Sequence, residues 1–116
     1  MSKVLILDDD ADIRNVLRLI LESSYEVYSL NNSDSWLQEI HDFNPDVIIL
    51  DIRLGNLDGI AICKELKSRP ETRHIKVILT TAALYDMKPL KKISDGFLEK
   101  PFDIDTVVKL VQRICD

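Results

Sequence analysis

Asp46-Val47-Ile48-Ile49-Leu50-Asp51 is a run of four apolar residues closed by an acid at each end. The preceding Asn44-Pro45 breaks any helix, because the residue before a proline avoids the helical region. A short apolar run without alternation is the pattern of a strand buried on both faces. Val4 to Leu7 repeats it and stops at Asp8-Asp9-Asp10. Val77-Ile78-Leu79, ending in Thr80-Thr81, is a third such strand, and Glu26–Leu30 and Phe97-Leu98 are weaker ones. Helical periodicity fills the gaps. Ile13, Val16, Leu17, Ile20 and Leu21 share a face, with Asp10 or Asp12 placed to cap it. Asn32-Ser33 is placed to cap a helix carrying Trp36, Leu37 and Ile40. Gly55 and Gly59 bracket a turn before a helix carrying Ile60, Cys63 and Leu66, which Arg69-Pro70 ends. Asp103 is placed to cap a last helix with Ile104, Val107, Val108, Val111 and Ile114 on its apolar face. Five strands alternating with helices predict an α/β fold, a doubly wound, mostly parallel sheet with helices on both faces.

The composition fits one ordinary globular domain over residues 1–116: 46% hydrophobic, 30% charged, net charge −5. The acidic balance argues against direct nucleic-acid binding, which wants a basic face. No apolar run approaches the length of a membrane span. Met1-Ser2-Lys3, followed by one short apolar run and three acids, does not resemble a signal peptide, so a cytoplasmic location is expected. Cys63 and Cys115 sit far apart in apolar patterns and are expected to be buried, reduced thiols. His41 and His74 have no acid or cysteine at ligand spacing and are expected on the surface. Trp36 is expected to pack on the sheet. Lys88, Lys91 and Lys92 are expected to form a solvated face, with a weak attraction for an acidic partner as the alternative.

Ligands of an open parallel sheet bind at the carboxyl ends of the strands. There the sequence puts Asp8 and Asp9, Asp51, Thr81 and Lys100. Each alone is a common cap, turn or surface residue. Together they form a set that capping does not predict. Clustered carboxylates repel, and a hard cation relieves that cost. Mg²⁺ takes oxygen ligands, usually one or two carboxylates, waters and phosphate oxygens. The set therefore implies a Mg²⁺ site for a phosphoryl group. Asp51, on the most buried strand, is the candidate acceptor, since carboxylates can form acyl phosphates. Thr81 and Lys100 remain to hold the phosphoryl oxygens.

With Lys3-Val-Leu-Ile-Leu-Asp-Asp-Asp10, Pro45-Asp-Val-Ile-Ile-Leu-Asp-Ile-Arg-Leu-Gly-Asn-Leu-Asp-Gly59, Val77-Ile-Leu-Thr-Thr-Ala82 and Gly96-Phe-Leu-Glu-Lys-Pro-Phe102 in this order, the chain resembles the response-regulator receiver domains of two-component signalling, a chemotaxis-regulator-like, flavodoxin-like family. The resemblance implies a five-stranded sheet of order 2-1-3-4-5. It also implies that Asp51 accepts a phosphoryl group from a histidine kinase or phosphotransfer protein. Asp9, Asp51 and the main-chain carbonyl of Arg53 would ligate Mg²⁺, and Asp8 would act through a water. Lys100 would pair with the phosphoryl group. Thr81 and Phe97 would be the switch residues, and Lys100–Pro101 a cis peptide. The phosphorylated state would alter the surface of the fourth helix, fifth strand and fifth helix, for a downstream effector or a homodimer. Such a protein catalyses its own phosphorylation and dephosphorylation and is not a turnover enzyme.

The chain departs from the family in three places. Gly55 stands where proline is usual. Arg53 and Ala83 occupy positions that tune dephosphorylation. The segment from Thr81 to Lys100 is short and contains Pro89, which predicts a short or kinked fourth helix, or one that starts near Pro89. Two other functions compete. One is a receiver-like interaction or dimerisation module that is never phosphorylated, against which the complete acid, threonine and lysine set argues. The other is a phosphatase with an aspartyl nucleophile, which wants Asp-x-Asp-x-Thr after the first strand and a substrate cap. No Gly-rich loop follows the first strand, so nucleotide binding is not expected.

Overall fold

Every apolar run named above forms a strand in the computed structural model, which describes residues 2–31, 34–82 and 87–115. The elements, in order, are β1 (Lys3–Leu7), α1 (Ala11–Leu21), β2 (Glu26–Leu30), α2 (Trp36–Phe43), β3 (Val47–Asp51), α3 (Gly59–Ser68), β4 (Lys76–Thr81), α4 (Met87–Ile93), β5 (Gly96–Glu99) and α5 (Ile104–Cys115). Among the described residues one parallel sheet has the order β2-β1-β3-β4-β5, as the resemblance implied. A two-residue antiparallel ladder, Arg53–Leu54 with Leu57–Asp58, closes the loop after β3, and Gly55 supplies its positive φ of 61°.

β1, β3 and β4 are the inner strands and bury nearly all their side chains, which is why their sequences do not alternate. β2, at the edge, keeps Glu26 and Tyr28 exposed, which is why its signal was weak. On one face Leu5, Leu7, Ile48, Leu50, Val77 and Leu79 pack against residues of α2, α3 and α4, with Trp36 at the margin as expected. On the other, Val4, Ile6, Ile49, Ile78 and Leu98 pack against α1 and α5.

Helix boundaries follow the expected signals. The Asp10 carboxylate accepts from the N–H groups of Asp12 and Ile13, Asp58 caps α3, and Asp103 accepts from the Thr106 N–H at 2.7 Å. Asn44 ends α2 in the left-handed conformation and Arg69 ends α3 in the extended one. α2 starts at Trp36, while the expected caps Asn32 and Ser33 lie outside the described residues. α4 is short, as expected. Pro89 is the third residue of its described span.

Two expectations about burial need correction. α1 and α5 bury narrower stripes than their periodicity suggested. Leu17 and Leu21, and Val107 and Val111, are buried, but Val16 is 46% and Ile104 62% exposed, and Val108 is exposed too. A helix lying on a sheet covers only the i, i+4 ridge that faces the strands, so apolar neighbours on its flanks stay outside. Cys63 is buried, whereas Cys115, in the last turn of α5, is only half-buried, and neither forms a disulfide. His41, His74, Lys88, Lys91 and Lys92 are exposed.

Candidate functional site

Asp8 directly follows β1, and Asp51 is the last residue of β3. The two strands are neighbours, with Leu7 in register with Leu50, so the next residues on each bring two carboxylates side by side. Both are buried, Asp8 2% and Asp51 8% exposed. Two such charges need a counter-ion. Lys100, just past β5, supplies it. Its Nζ donates to Asp8 Oδ2 at 2.9 Å and to Asp51 Oδ2 at 3.2 Å.

The other oxygens are held as well. Asp8 Oδ1 accepts from the Asp10 N–H at 2.9 Å, and Asp51 Oδ1 from the Arg53 N–H at 3.3 Å. The cis Lys100–Pro101 peptide lies where it was expected. Burial, and next the charge of Asp8, push the Asp51 carboxyl above its ordinary range, and Lys100 only partly offsets them. Burial alone would lower the Lys100 pKa, but hydrogen bonding to Asp8 and the charges of Asp8 and Asp51 raise it. The centre is thus still short of positive charge after Lys100 has been counted.

Thr81 is buried at the end of β4 and, with Asp51, Arg53, Ala82 and Lys100, lines a depression of about 400 Å³. Phe97 is half-buried against the cluster under α3 and α4, in register with Leu79 and on the sheet face to which alternation assigns Thr81. Arg53 is exposed at the rim, and Ala83 lies outside the described residues. Asp9 is exposed, and among the described residues no three His, Cys, Asp or Glu side chains stand in a metal-holding group. The structure therefore brings together Asp8, Asp51 and Lys100, with Thr81 beside them and Asp9 at the edge.

Two supports escaped the sequence reading. Arg14, one turn into α1, donates to the main-chain oxygen of Asp8 at 2.6 Å and ties the helix to the end of β1. Its spacing from Asp10 was the only signal. Gly59 follows the cap Asp58, and its N–H donates to the Ile52 carbonyl at 2.8 Å. A Cβ there would run into the main-chain oxygen of Asp51 and stand 2.7 Å from the Ile52 Cα. The glycine is needed because the start of α3 presses on the backbone that carries Asp51.

A buried carboxylate pair, a bridging lysine and a neighbouring hydroxyl thus stand together at the carboxyl ends of a doubly wound sheet. Residues 4–112 match the response regulator receiver domain, and the chain belongs to that family. Regulatory protein AtoC of Escherichia coli strain K12 is 32% identical over 116 residues, 97% of this chain but 25% of AtoC. Transcriptional regulatory protein ResD of Bacillus subtilis is 28% identical over 114 residues, 97% of this chain and 48% of ResD. The chain thus spans half or less of these relatives. Among solved structures, the N-terminal domain of the nisin resistance regulator NsrR superposes with a TM-score of 0.90 at 29% identity, covering 100% of this chain and 99% of that one. The chemotaxis protein CheY4 of Vibrio cholerae gives 0.87 at 27%, covering 98% of each. Among the described residues no helix is long and apolar enough to cross a membrane.

Proposed function

We propose that residues 1–116 act as one receiver domain that is switched by phosphorylation of Asp51. The observation that carries this is the convergence of Lys100 Nζ on Asp8 and Asp51 at 2.9 and 3.2 Å. A buried pair of acids under one ammonium has little value as a stability device, because desolvation offsets most of the attraction. As a receptacle for a phosphoryl group it is well made.

The donor set suits Mg²⁺: all-oxygen, two converging carboxylates, a third acid adjacent, and a site that still favours added positive charge. Asp9, Asp51 and the main-chain carbonyl of Arg53 would hold the ion, with Asp8 acting through a water. When bound it supplies charge that neutralises phosphoryl oxygens. The remaining work belongs to the chain. A carboxylate oxygen of Asp51 attacks phosphorus, forming an O–P bond. The N–P bond to the partner's phosphohistidine breaks, and its electron pair returns to the imidazole. Lys100, fixed by Asp8, moves its hydrogen bond from Asp51 to a phosphoryl oxygen. Thr81 donates to another. Phe97 follows into the space that Thr81 leaves, which biases the surface of α4, β5 and α5 toward a second packing. In the reverse half of the cycle water attacks phosphorus, and the O–P bond breaks to restore the carboxylate and release phosphate. The donor in this reading is a histidine kinase or phosphotransfer protein, and the reader is an effector or a second copy.

Incubation with acetyl phosphate and Mg²⁺, followed by intact mass measurement, tests the reading. The expected result is a gain of one phosphoryl group that is lost in Asp51→Ala. No gain in the folded wild-type protein would overturn it in favour of a non-phosphorylated interaction module.

A further inference from the structure

Asp8 and Asp51 share their sheet face with a residue to which the cycle above gives no task. In β4, Leu79 packs toward α3 and α4, while Ile78 packs with Leu98, Val107 and Val111 on the opposite side. Strand alternation therefore puts Thr80, two residues after Ile78, on the α1 and α5 side. Asp51, two residues after Ile49, shares that side. Thr80 is in register with Asp51 on one neighbour and with Leu98 on the other. β4 separates β5 from β3, so Lys100 reaches past the end of β4 to bond Asp51 and Asp8. Thr80 is 1% exposed, and among the described residues its Oγ1 has no hydrogen-bond partner. A buried hydroxyl without a partner costs stability that an isosteric valine would not.

We propose that Thr80 is a positioning residue for the phosphorylated state. Its hydroxyl is idle in the free protein. It donates to the Asp51 side-chain oxygen that Lys100 gives up on turning to the phosphoryl group. That oxygen becomes the carbonyl of the acyl phosphate; the cation would take one of its lone pairs, and Thr80, the in-register neighbour, donates to the other. The hydrogen bond exists in one state only, so it favours the phosphorylated packing over the free one. The inference rests on Asp51 being the acceptor.

Thr80→Val and Thr80→Ser test it, with thermal unfolding of the free protein and calorimetric binding of beryllium fluoride, a phosphoryl mimic, in Mg²⁺ as the two readouts. Thr80→Val is expected to raise the unfolding midpoint by about 4 °C and to weaken beryllium fluoride binding about tenfold, the worth of one hydrogen bond made in a single state. Thr80→Ser is expected to bind within about twofold of wild type, since it keeps the hydroxyl. Wild-type binding by Thr80→Val overturns the proposal. So does a lowered midpoint, which shows that the hydroxyl already has a partner, such as a buried water, in the free protein. Failure of the acceptor reading looks different: wild type and Asp51→Asn would then bind beryllium fluoride equally poorly, and both proposals would fall together.

Discussion

Lys100 Nζ donates to Asp51 at 3.2 Å although the two residues lie 49 positions apart in the chain and a strand stands between them. The same ammonium donates to Asp8 at 2.9 Å, so one cation holds two buried carboxylates together. Most of what the site can be expected to do under mutation or titration follows from that bridge.

Lys100→Met keeps the stem and removes the charge. Two buried carboxylates are then left facing each other, and breaking a buried pair in this way costs about 3 kcal/mol. Urea unfolding at neutral pH should show that loss. At pH 4 the loss should shrink, because the raised Asp51 carboxyl takes up a proton and relieves the repulsion. An equal loss at both pH values would argue that the stem's packing, not its charge, was missing.

Asp51→Asn should stabilise the protein at neutral pH. The Asp51 pKa is raised above its usual value near 3.9, so the folded state holds that proton more tightly than the unfolded one. Its contribution to stability is fully present below the unfolded pKa and is lost as pH rises through the folded one. Removing the charge removes that loss. Asp95 has the opposite sign. Burial opposes its ionisation, but Lys67 and the Val77 N–H hold its pKa down, so its contribution is present at neutral pH and lost as pH falls. Melting curves of Asp51→Asn and Asp95→Asn at pH 7 should therefore move in opposite directions.

Gly59→Ala should be among the most damaging single-methyl additions in the chain. The new Cβ meets the Asp51 carbonyl and the Ile52 Cα, which are backbone and cannot swing aside. Overpacking of this kind costs about 3 kcal/mol. It also displaces Asp51, so phosphorylation by acetyl phosphate should slow more than the fraction unfolded accounts for. A variant that is merely less stable, with a normal rate per folded molecule, would show that the start of α3 does not position the acceptor.

Mg²⁺ should raise the unfolding midpoint of the wild type, and a chelator should reverse the effect, because a ligand that binds only the folded state stabilises it by mass action. At a concentration 100 times the dissociation constant the gain is about 2.7 kcal/mol. Asp9→Asn should reduce it. Asp9 is exposed and makes none of the hydrogen bonds that hold Asp8 and Asp51, so the unliganded midpoint should stay within about 1 °C of wild type. A metal response unchanged in Asp9→Asn would remove that residue from the site.

Local physics made several features legible in the sequence. Val4 to Leu7, Val47 to Leu50 and Val77 to Leu79 are buried on both faces, and residues of that kind lose the alternation that marks a surface strand. Asp10, Asp58 and Asp103 cap helices through bonds that span two or three residues. An acid at the end of an apolar run was enough to identify Asp8 and Asp51, because their positions depend only on where each strand stops. Tertiary structure decided the rest. Whether Lys100 reaches past the end of β4, how little of α1 and α5 the sheet covers, why Gly59 tolerates no side chain and why the Thr80 hydroxyl lacks a partner among the described residues all depend on which strands become neighbours and in what register. Periodicity and capping act within about one helical turn of the chain, whereas these four features join residues that only the folded sheet brings together.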